Sequence, residues 1–259
     1  MMRVALAGVG MIGSSLALDL RDQGHQIFGF DPNAGHLAEA EAMGAIDGIL
    51  TEFKGSFDLV LLTALPNACL SLLDSPCEAP LWLDVGSVKA PIVRAAQARS
   101  LPFVGGHPLA GSAGSGPRAA RRRLFSGRGF ALCPGGGPLD QAVSLVQSIG
   151  ALPFVLPADV HDRRVAQSSH LLYLLSAALA SRLTDTPAEL IGPAAFEWLR
   201  LASAPAPLYQ EILALNGEAV REALEELTKE AKRLLDHDDF AGTEQQARKI
   251  RERWESDAR

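Results

Sequence analysis

Residues 3–13, RVALAGVGMIG, decide the fold that this sequence predicts. The apolar run from Arg3 to Ala7 has the composition of a buried parallel strand. It breaks at residues 8–13, a GxGxxG pattern, and residues 14–20 then favour a helix. A strand that turns on glycines directly into a helix points the backbone N–H groups of the helix at the turn. The turn therefore predicts an anion site that suits a pyrophosphate.

The glycines of this turn have distinct predicted roles. Gly8 permits the tight turn, Gly10 lets a phosphate approach the backbone, and Gly13 lets the helix pack close to the strand. The turn contributes five predicted cofactor-binding residues, namely Gly8, Gly10, Met11, Ile12 and Gly13.

A second strand supplies the context that a glycine pattern needs. Residues 26–30 predict a strand that leads into Asp31, and an acidic side chain there accepts hydrogen bonds from the adenosine ribose hydroxyls. No Arg or Lys follows Asp31 closely, so its carboxylate would repel a 2′-phosphate. We therefore predict NAD as the cofactor in preference to NADP. The alternative is a glycine turn that binds no ligand.

The rest of the first half alternates between strands and helices. Further strands are predicted at residues 57–62, 81–85, 102–105, 130–133 and 152–156, and helices at 34–43, 90–98 and 139–149. This alternation predicts a doubly wound parallel sheet, an α/β fold. Thr63 and Pro66 follow a strand and should lie at the carboxyl edge of the sheet, so we predict that they contact the cofactor.

The composition changes near Pro157. After it the sequence predicts only helices, at residues 160–182, 188–202, 208–235 and 240–254. We therefore predict a dinucleotide-binding domain at residues 1–156 and a helical domain at residues 157–259. The apolar helix faces exceed what a domain of about 100 residues can cover by itself, which predicts a homodimer formed through them.

The overall composition disfavours several classes of protein. A length of 259 residues with 47% hydrophobic residues suits a folded core, and a net charge of −6 argues against nucleic-acid binding. The three cysteines show no metal-ligand spacing and no CxxC pair, so we expect reduced thiols, no metal site and a cytoplasmic location. No signal peptide or membrane span is predicted, since the most apolar stretch, residues 171–180, is too short.

Three loops that follow predicted strands are candidates for the chemistry. They comprise residues 63–66, 84–89 and 105–112. The third contains His107, and histidine is the side chain best suited to accept a proton near neutral pH. The alternative is that His107 only satisfies a loop hydrogen bond. In the second loop, Ser87 can contact a substrate, cap a helix or do both, and Lys89 is either a solvated lysine or a cofactor contact.

Two polar side chains stand among apolar residues in the helical half. His170 lies in an apolar stretch, where a lone histidine is ordinarily part of the core. Arg200 also lies between apolar neighbours. A guanidinium there needs a partner, and a substrate carboxylate would serve.

These motifs, taken in chain order, resemble those of the prephenate/arogenate dehydrogenase family. They are residues 8–13, Asp84-Val85-Gly86-Ser87-Val88-Lys89, Gly106-His107-Pro108-Leu109-Ala110-Gly111, Ser169-His170-Leu171 and the segment around Arg200. The resemblance covers nearly the whole chain. It implies an N-terminal Rossmann domain, a helical C-terminal domain that builds a dimer, and NAD-dependent oxidative decarboxylation of prephenate or arogenate in tyrosine biosynthesis.

The resemblance also implies roles for individual residues. His107 is the implied catalytic base on the ring hydroxyl, Ser87 helps to hold that hydroxyl, and Arg200 binds a substrate carboxylate. Where the family's helix often has Ser-His-Leu-Pro-His, residues 169–173 are SHLLY. Tyr173 thus replaces the second histidine.

His170 and Tyr173 are accordingly the predicted contacts of the substrate side chain, which is where prephenate and arogenate differ. Three positions separate them, so both can project from one helix face. The alternative is that Tyr173 only packs in the helical core.

The residues leave two other functions open. One is another two-domain NAD(P) oxidoreductase, such as a 3-hydroxyacid dehydrogenase or an imine reductase. Those enzymes lack the GHPxAG segment, and many use a lysine of the helical domain as the acid. The other is a nucleotide-sensing protein without activity, against which the joint presence of His107, Ser87 and Arg200 argues.

Overall fold

The structure, a computed structural model, describes residues 1–111, 114–237 and 240–257. Ser112, the last residue of the third candidate loop, lies outside the described residues. The chain forms two compact units, Met1–His161 and Asp162–Arg259. The division therefore falls after residue 161, where the sequence predicts it after residue 156.

The first unit contains ten strands. They are β1 (Arg3–Ala7), β2 (Gln26–Phe30), β3 (Gly48–Ile49), β4 (Gly55–Ser56), β5 (Leu59–Leu62), β6 (Cys77–Glu78), β7 (Trp82–Asp84), β8 (Phe103–Pro108), β9 (Gly129–Gly135) and β10 (Leu152–Val155). Eight of them form one sheet in the order β10-β9-β8-β7-β5-β1-β2-β3, and β4 pairs with β6 separately.

The sheet reverses its order next to β1, which pairs in parallel with both β2 and β5. In such sheets ligands bind beyond the carboxyl ends of the strands at the point of reversal. The six neighbouring strands β3, β2, β1, β5, β7 and β8 of this sheet are all parallel to one another. This confirms the predicted doubly wound arrangement for this part of the sheet.

The last two strands differ from the prediction. β9 runs antiparallel to β8, with His107 opposite Ala131, and β10 is parallel to β9. A parallel strand needs a long crossover, usually a helix. Between β8 and β9 the described residues contain only a single 3₁₀ turn, Pro117–Ala119, so β9 returns in the opposite direction.

Along the chain, helices of the first unit alternate with these strands. They are α1 (Met11–Asp22), α2 (Ala34–Ala42), α3 (Pro66–Leu72), α4 (Ala90–Ala98) and α5 (Leu139–Ser148), and α6 (Ala158–Val165) crosses into the second unit. Helix α3 was not predicted from the sequence. It begins at Pro66, in the first turn, where the missing N–H of proline breaks no helical hydrogen bond.

β1 shows why the strands are continuously apolar. Val4 and Leu6 belong to the core cluster on one side of the sheet, and Ala5 and Ala7 to the cluster on the other side. All four are fully buried, because side chains alternate between faces and both faces are covered.

The regular elements of the second unit, over its described residues, are helices joined by loops. The unit contains α7 (Leu171–Arg182), α8 (Pro193–Ala202), α9 (Ala206–His237) and α10 (Phe240–Asp257). In the part of the chain that the structure describes, no helix is both long and apolar enough to cross a membrane.

Two helices of this unit are irregular. The predicted continuous helix at residues 160–182 is interrupted by a π-helical turn, Ala166–His170, before α7 begins. Such turns insert a residue into a helix and are frequent at functional sites. In α9 the backbone of Asn216 leaves the helical region, with φ −117° and ψ 18°, and kinks the helix.

Candidate active site

The glycine turn between β1 and α1 is closely packed at two of its three glycines. Gly8 has φ +94°, and a Cβ there would lie 2.8 Å from the backbone N of Ala64. A Cβ on Gly13 would collide with the carbonyl of Gly8 and with Thr63 Oγ1. A Cβ on Gly10 would meet no atom within 4 Å, so the turn is open where a phosphate is predicted to approach.

Thr63, at the end of β5, supports this turn. Its hydroxyl lies within hydrogen-bond distance of the carbonyls of Ala7, at 3.0 Å, and of Gly8, and shares its one proton between them. Its backbone N–H donates to Ala7 O at 2.8 Å. Thr63 therefore holds the glycine turn in place, whatever contact it makes with a cofactor. Pro66 is buried at the start of α3.

Asp31 joins the end of β2 to the same turn. One carboxylate oxygen accepts from Val9 N at 3.0 Å and the other from Asn33 N at 2.8 Å. A carboxylate has about four acceptor positions, so two backbone donors still leave capacity for ribose hydroxyls. His36 Nδ1 lies 3.7 Å from Asp31 Oδ1. The preference predicted for NAD rests on the absence of Arg and Lys near Asp31 and does not include this histidine.

A buried ion pair connects two of the candidate segments. Lys89 Nζ contacts Asp84 Oδ2, and both side chains are fully buried. Asp84 also accepts from the backbone N of Gly86 at 3.0 Å and of Gly106 at 3.2 Å. Asp84 thereby ties the loop after β7 to the strand β8. The interpretation of Lys89 as a solvated side chain is wrong, because its partner is inside the protein.

The environment of Asp84 has opposing effects on its ionisation. Burial raises the pKa of its carboxyl, while the Lys89 ammonium and the two amide donors oppose that rise. The buried Asp84 carboxyl is therefore held by the Lys89 ammonium and by the backbone amides of Gly86 and Gly106.

Ser87 lies half-buried in the loop after β7. Lys89 occupies the N-cap position of α4, and its own side chain makes no capping hydrogen bond there. The interpretation of Ser87 as a helix cap stays a prediction. The predicted contact of Ser87 with a substrate hydroxyl stays a prediction.

His107 is the histidine at the carboxyl edge of the sheet. It lies within β8 and not in the loop that the sequence predicts, because pairing with β9 extends the strand to Pro108. The side chain is half-buried, and its Nδ1 lies 2.9 Å from Nε2 of His161. His161 is only 2% exposed, on α6. His161 was not among the predicted site residues, because 54 residues separate the two histidines and no sequence spacing links them.

In the second unit His170 is fully buried. The side-chain amide nitrogen of Asn216 lies 3.1 Å from His170 Nδ1 and also donates to the carbonyl of Asp162 at 2.9 Å. Because an amide nitrogen carries only donors, His170 accepts at Nδ1. The hydrogen bond between Asn216 and His170 therefore links the kink of α9 to the π-helical turn.

Tyr173 and Arg200 have different environments in this unit. Tyr173 is 9% exposed and stacks face to face on Tyr209, with ring centroids 3.5 Å apart. Burial raises the pKa of the Tyr209 phenol. Arg200 is exposed and pairs with Glu197 of its own helix at 3.0 Å. Its apolar sequence neighbours therefore do not bury it.

The fold and the first unit's site define a class of protein. A parallel sheet that reverses beside β1, a glycine turn that opens a helix and an acidic residue after β2 are the features of a Rossmann dinucleotide-binding domain. With a histidine at the carboxyl edge of the same sheet, they describe an oxidoreductase that uses a nicotinamide dinucleotide.

Comparisons with known proteins identify the family. The model of the prephenate dehydrogenase nucleotide-binding domain matches residues 16–152, more than half of the chain. A probable prephenate dehydrogenase of Streptomyces niveus is 35% identical over 250 residues, which cover 91% of this chain and 68% of that protein. The chain belongs to the prephenate dehydrogenase family.

Solved structures agree with this assignment. Prephenate dehydrogenase from Aquifex aeolicus, in complex with hydroxyphenyl propionate and NAD⁺, has a TM-score of 0.85 and 25% identity, covering 97% of this chain and 96% of that one. Arogenate dehydrogenase from Synechocystis, at 23% identity, shares the fold with a TM-score of 0.78 and covers 98% of this chain and 100% of that one.

Proposed function

We propose that this protein oxidises prephenate with NAD and releases its ring carboxylate as carbon dioxide, forming 4-hydroxyphenylpyruvate for tyrosine synthesis. The observation that supports this most is the position of His107. It lies at the carboxyl edge of the sheet that carries the glycine turn and Asp31, in a chain of the prephenate dehydrogenase family. Arogenate, which would yield tyrosine directly, is the second proposed substrate.

The residues of the first unit fit NAD. The turn is open at Gly10, and the Asp31 carboxylate retains acceptor capacity for the ribose hydroxyls. When bound, NAD supplies the acceptor for the hydride that leaves the hydroxyl-bearing ring carbon.

In the proposed mechanism His107 takes the proton of the ring hydroxyl as the hydride leaves, because oxidation makes that hydroxyl acidic. The carboxylate on the ring then departs as carbon dioxide, and the electrons of the broken carbon–carbon bond make the ring aromatic and leave a negative charge on the ring oxygen. That oxygen takes the proton back from His107, which gives the phenol of the product and restores the base. Aromatisation drives the reaction, so the protein must supply positioning and one base. Ser87 holding the hydroxyl and Arg200 binding a carboxylate are part of this proposal.

An absorbance assay for reduced nicotinamide tests the proposed function. We expect prephenate to be turned over with NAD. A 3-hydroxyacid, the substrate of the alternative 3-hydroxyacid dehydrogenase function, should give no signal. Turnover of the 3-hydroxyacid without turnover of prephenate or arogenate would replace the proposal by that alternative.

The preference for NAD is a further part of the proposal, and it rests on Asp31. We expect that Asp31→Ser combined with Pro32→Arg shifts the ratio of kcat/KM values toward NADP, because a repulsive carboxylate is removed and a cation is added at an exposed position. Pro32→Arg alone is the control that separates the two changes. If the unmodified protein uses NADP better than NAD, the role assigned to Asp31 is wrong.

Tyr173 is the residue that we propose for discrimination between prephenate and arogenate. A histidine at this position can carry a charge that repels the ammonium of arogenate, whereas tyrosine is neutral and can accept from it. We expect Tyr173→His to lower the kcat/KM ratio of arogenate to prephenate by about tenfold, the worth of one hydrogen bond to a charge.

The stack on Tyr209 provides the matched control for this experiment. Tyr173→Phe keeps an aromatic ring at the stacked position and removes only the hydroxyl. An unchanged ratio in Tyr173→His would show that Tyr173 only packs against Tyr209.

A homodimer is the proposed assembly. No residue of α8 is buried, and Phe196 and Trp198 on this helix are 64% and 41% exposed. Exposed aromatic side chains of this kind mark a surface that another protein covers, and we propose a second copy of the chain.

Light scattering at micromolar concentration tests this assembly. We expect a dimer for the natural sequence and a folded monomer for Phe196→Ser with Trp198→Ser. Phe154→Ser, which alters an exposed aromatic residue of the first unit, is the control and should leave the dimer intact. A monomeric natural protein would contradict the proposal.

A reducing, cytoplasmic location completes the proposal. Cys69, Cys77 and Cys133 are buried thiols rather than disulfides, which suits a reducing compartment. Burial also raises the pKa of the Cys77 thiol, which keeps it protonated and unreactive.

A further inference from the structure

His161 is a buried polar side chain beside the proposed base, His107. Its Nε2 lies 2.9 Å from His107 Nδ1, and the two rings meet edge to face with centroids 5.1 Å apart. The backbone N–H of His161 donates to Pro157 O at 2.9 Å, so the first turn of α6 holds it. We propose that His161 is a positioning residue that sets the tautomer and ring orientation of His107. This inference rests on the proposed role of His107 as the base.

The contact between the rings allows two arrangements of one proton. If the proton is on His107 Nδ1, it is donated to His161, and Nε2 of His107 carries a lone pair that can accept a proton. If the proton is on His161 Nε2, His107 accepts at Nδ1 and its own Nε2 carries hydrogen. Because Nδ1 faces His161, Nε2 is the atom that can act as the base, and only the first arrangement leaves it able to do so.

The same contact becomes stronger during the reaction. When the ring-hydroxyl proton moves to His107 Nε2, the imidazole becomes a cation whose Nδ1–H still donates to His161. A hydrogen bond from a charged donor is stronger than one between neutral groups. An interaction that strengthens as the proton is transferred lowers the barrier and raises kcat more than it changes KM.

A role in packing alone makes a different prediction. His161 is 2% exposed, so it also fills space beside His107, and any large side chain would keep much of that packing. Leucine at 161 fills the space but cannot accept a hydrogen bond. Glutamine fills it and offers an oxygen that can accept from His107 Nδ1. The two substitutions therefore separate packing from hydrogen bonding.

The kinetic experiment compares His161→Leu with His161→Gln in the full-length protein, using prephenate and NAD. We expect His161→Leu to lower kcat by about 10–100-fold, the range found when a residue that orients a metal-bound histidine is lost. The KM for prephenate and the Kd for NAD should change little, and His161→Gln should recover most of kcat. His237→Leu and His237→Gln, at an exposed position of α9, are the matched controls.

A second measurement does not depend on the activity. Nitrogen-15 NMR of the histidine side chains, with His107 assigned by its loss in His107→Asn, reports which ring nitrogen carries the proton. We expect the proton on Nδ1 in the natural protein and a shift toward Nε2 in His161→Leu. If prephenate is not turned over at all, the proposed function fails while this measurement still tests the positioning role.

Three outcomes would overturn the inference. The first is an unchanged kcat in His161→Leu. The second is an equal loss in the leucine and glutamine variants while both retain the thermal stability of the natural protein. The third is a His107 tautomer with the proton on Nε2, or one that does not respond to either substitution.

Discussion

Replacing His107 by asparagine is expected to lower turnover by roughly two orders of magnitude or more, the usual worth of a positioned base. Asparagine keeps polarity and approximate size at this position of β8 but cannot take up a proton near neutral pH. The backbone pairing with β9 is independent of the side chain, so the strand should keep its register opposite Ala131.

NAD binding should be unchanged in this variant, because the glycine turn and Asp31 hold the dinucleotide in our proposal. Fluorescence titration with NAD and steady-state turnover of prephenate measure the two properties separately. His237→Asn, which changes an exposed histidine of α9, is the control. Near-normal turnover in His107→Asn would remove His107 from the role of base.

Lys89→Met is expected to destabilise the first unit by about 3–5 kcal/mol, because it leaves the buried Asp84 carboxylate without its cation. The backbone amides of Gly86 and Gly106 would still donate to that carboxylate. Their hydrogen bonds offset only part of the cost of burying a charge. Urea unfolding followed by the fluorescence of Trp82, a buried residue of β7, measures the change.

The double variant Asp84→Asn with Lys89→Met tests the cause of this loss. A neutral amide removes the unpaired charge and can still accept one of the backbone hydrogen bonds, so we expect much of the stability to return. Lys54→Met is the matched control, because Lys54 pairs with Glu52 where both side chains are exposed, and its stability should not change measurably. Equal stability of Lys89→Met and the natural protein would mean that the pair contributes nothing.

The elements whose cause is local agree with the sequence analysis. The glycine turn and α1 follow from residues 8–13, because Gly8 needs a positive φ and Gly13 leaves no room for a side chain. The strand before Asp31 has the predicted bounds, Gln26–Phe30, and α4 begins and ends as predicted, at Ala90 and Ala98. In each case the determining interactions lie within a few residues along the chain.

The elements that depend on distant partners were predicted less well. The strand predicted at residues 102–105 ends before His107, but hydrogen bonds to β9 extend β8 to Pro108. The direction of β9 itself follows from the absence of a crossover helix between the two strands among the described residues. A helix at residues 160–182 was predicted, yet its π-helical turn sits where His170 meets Asn216 of α9.

For the candidate site, the sequence by itself determined which residues we propose for the chemistry, since GxGxxG, Asp31 and His107 stand in recognisable local patterns. Only the tertiary structure decided how these residues are supported. A lysine is ordinarily a surface residue, and Lys89 is buried because the fold gives it Asp84. A ring nitrogen of His107 faces His161 because the fold places the start of α6 beside β8. The two histidines are 54 residues apart in the sequence, so no local pattern predicts this contact.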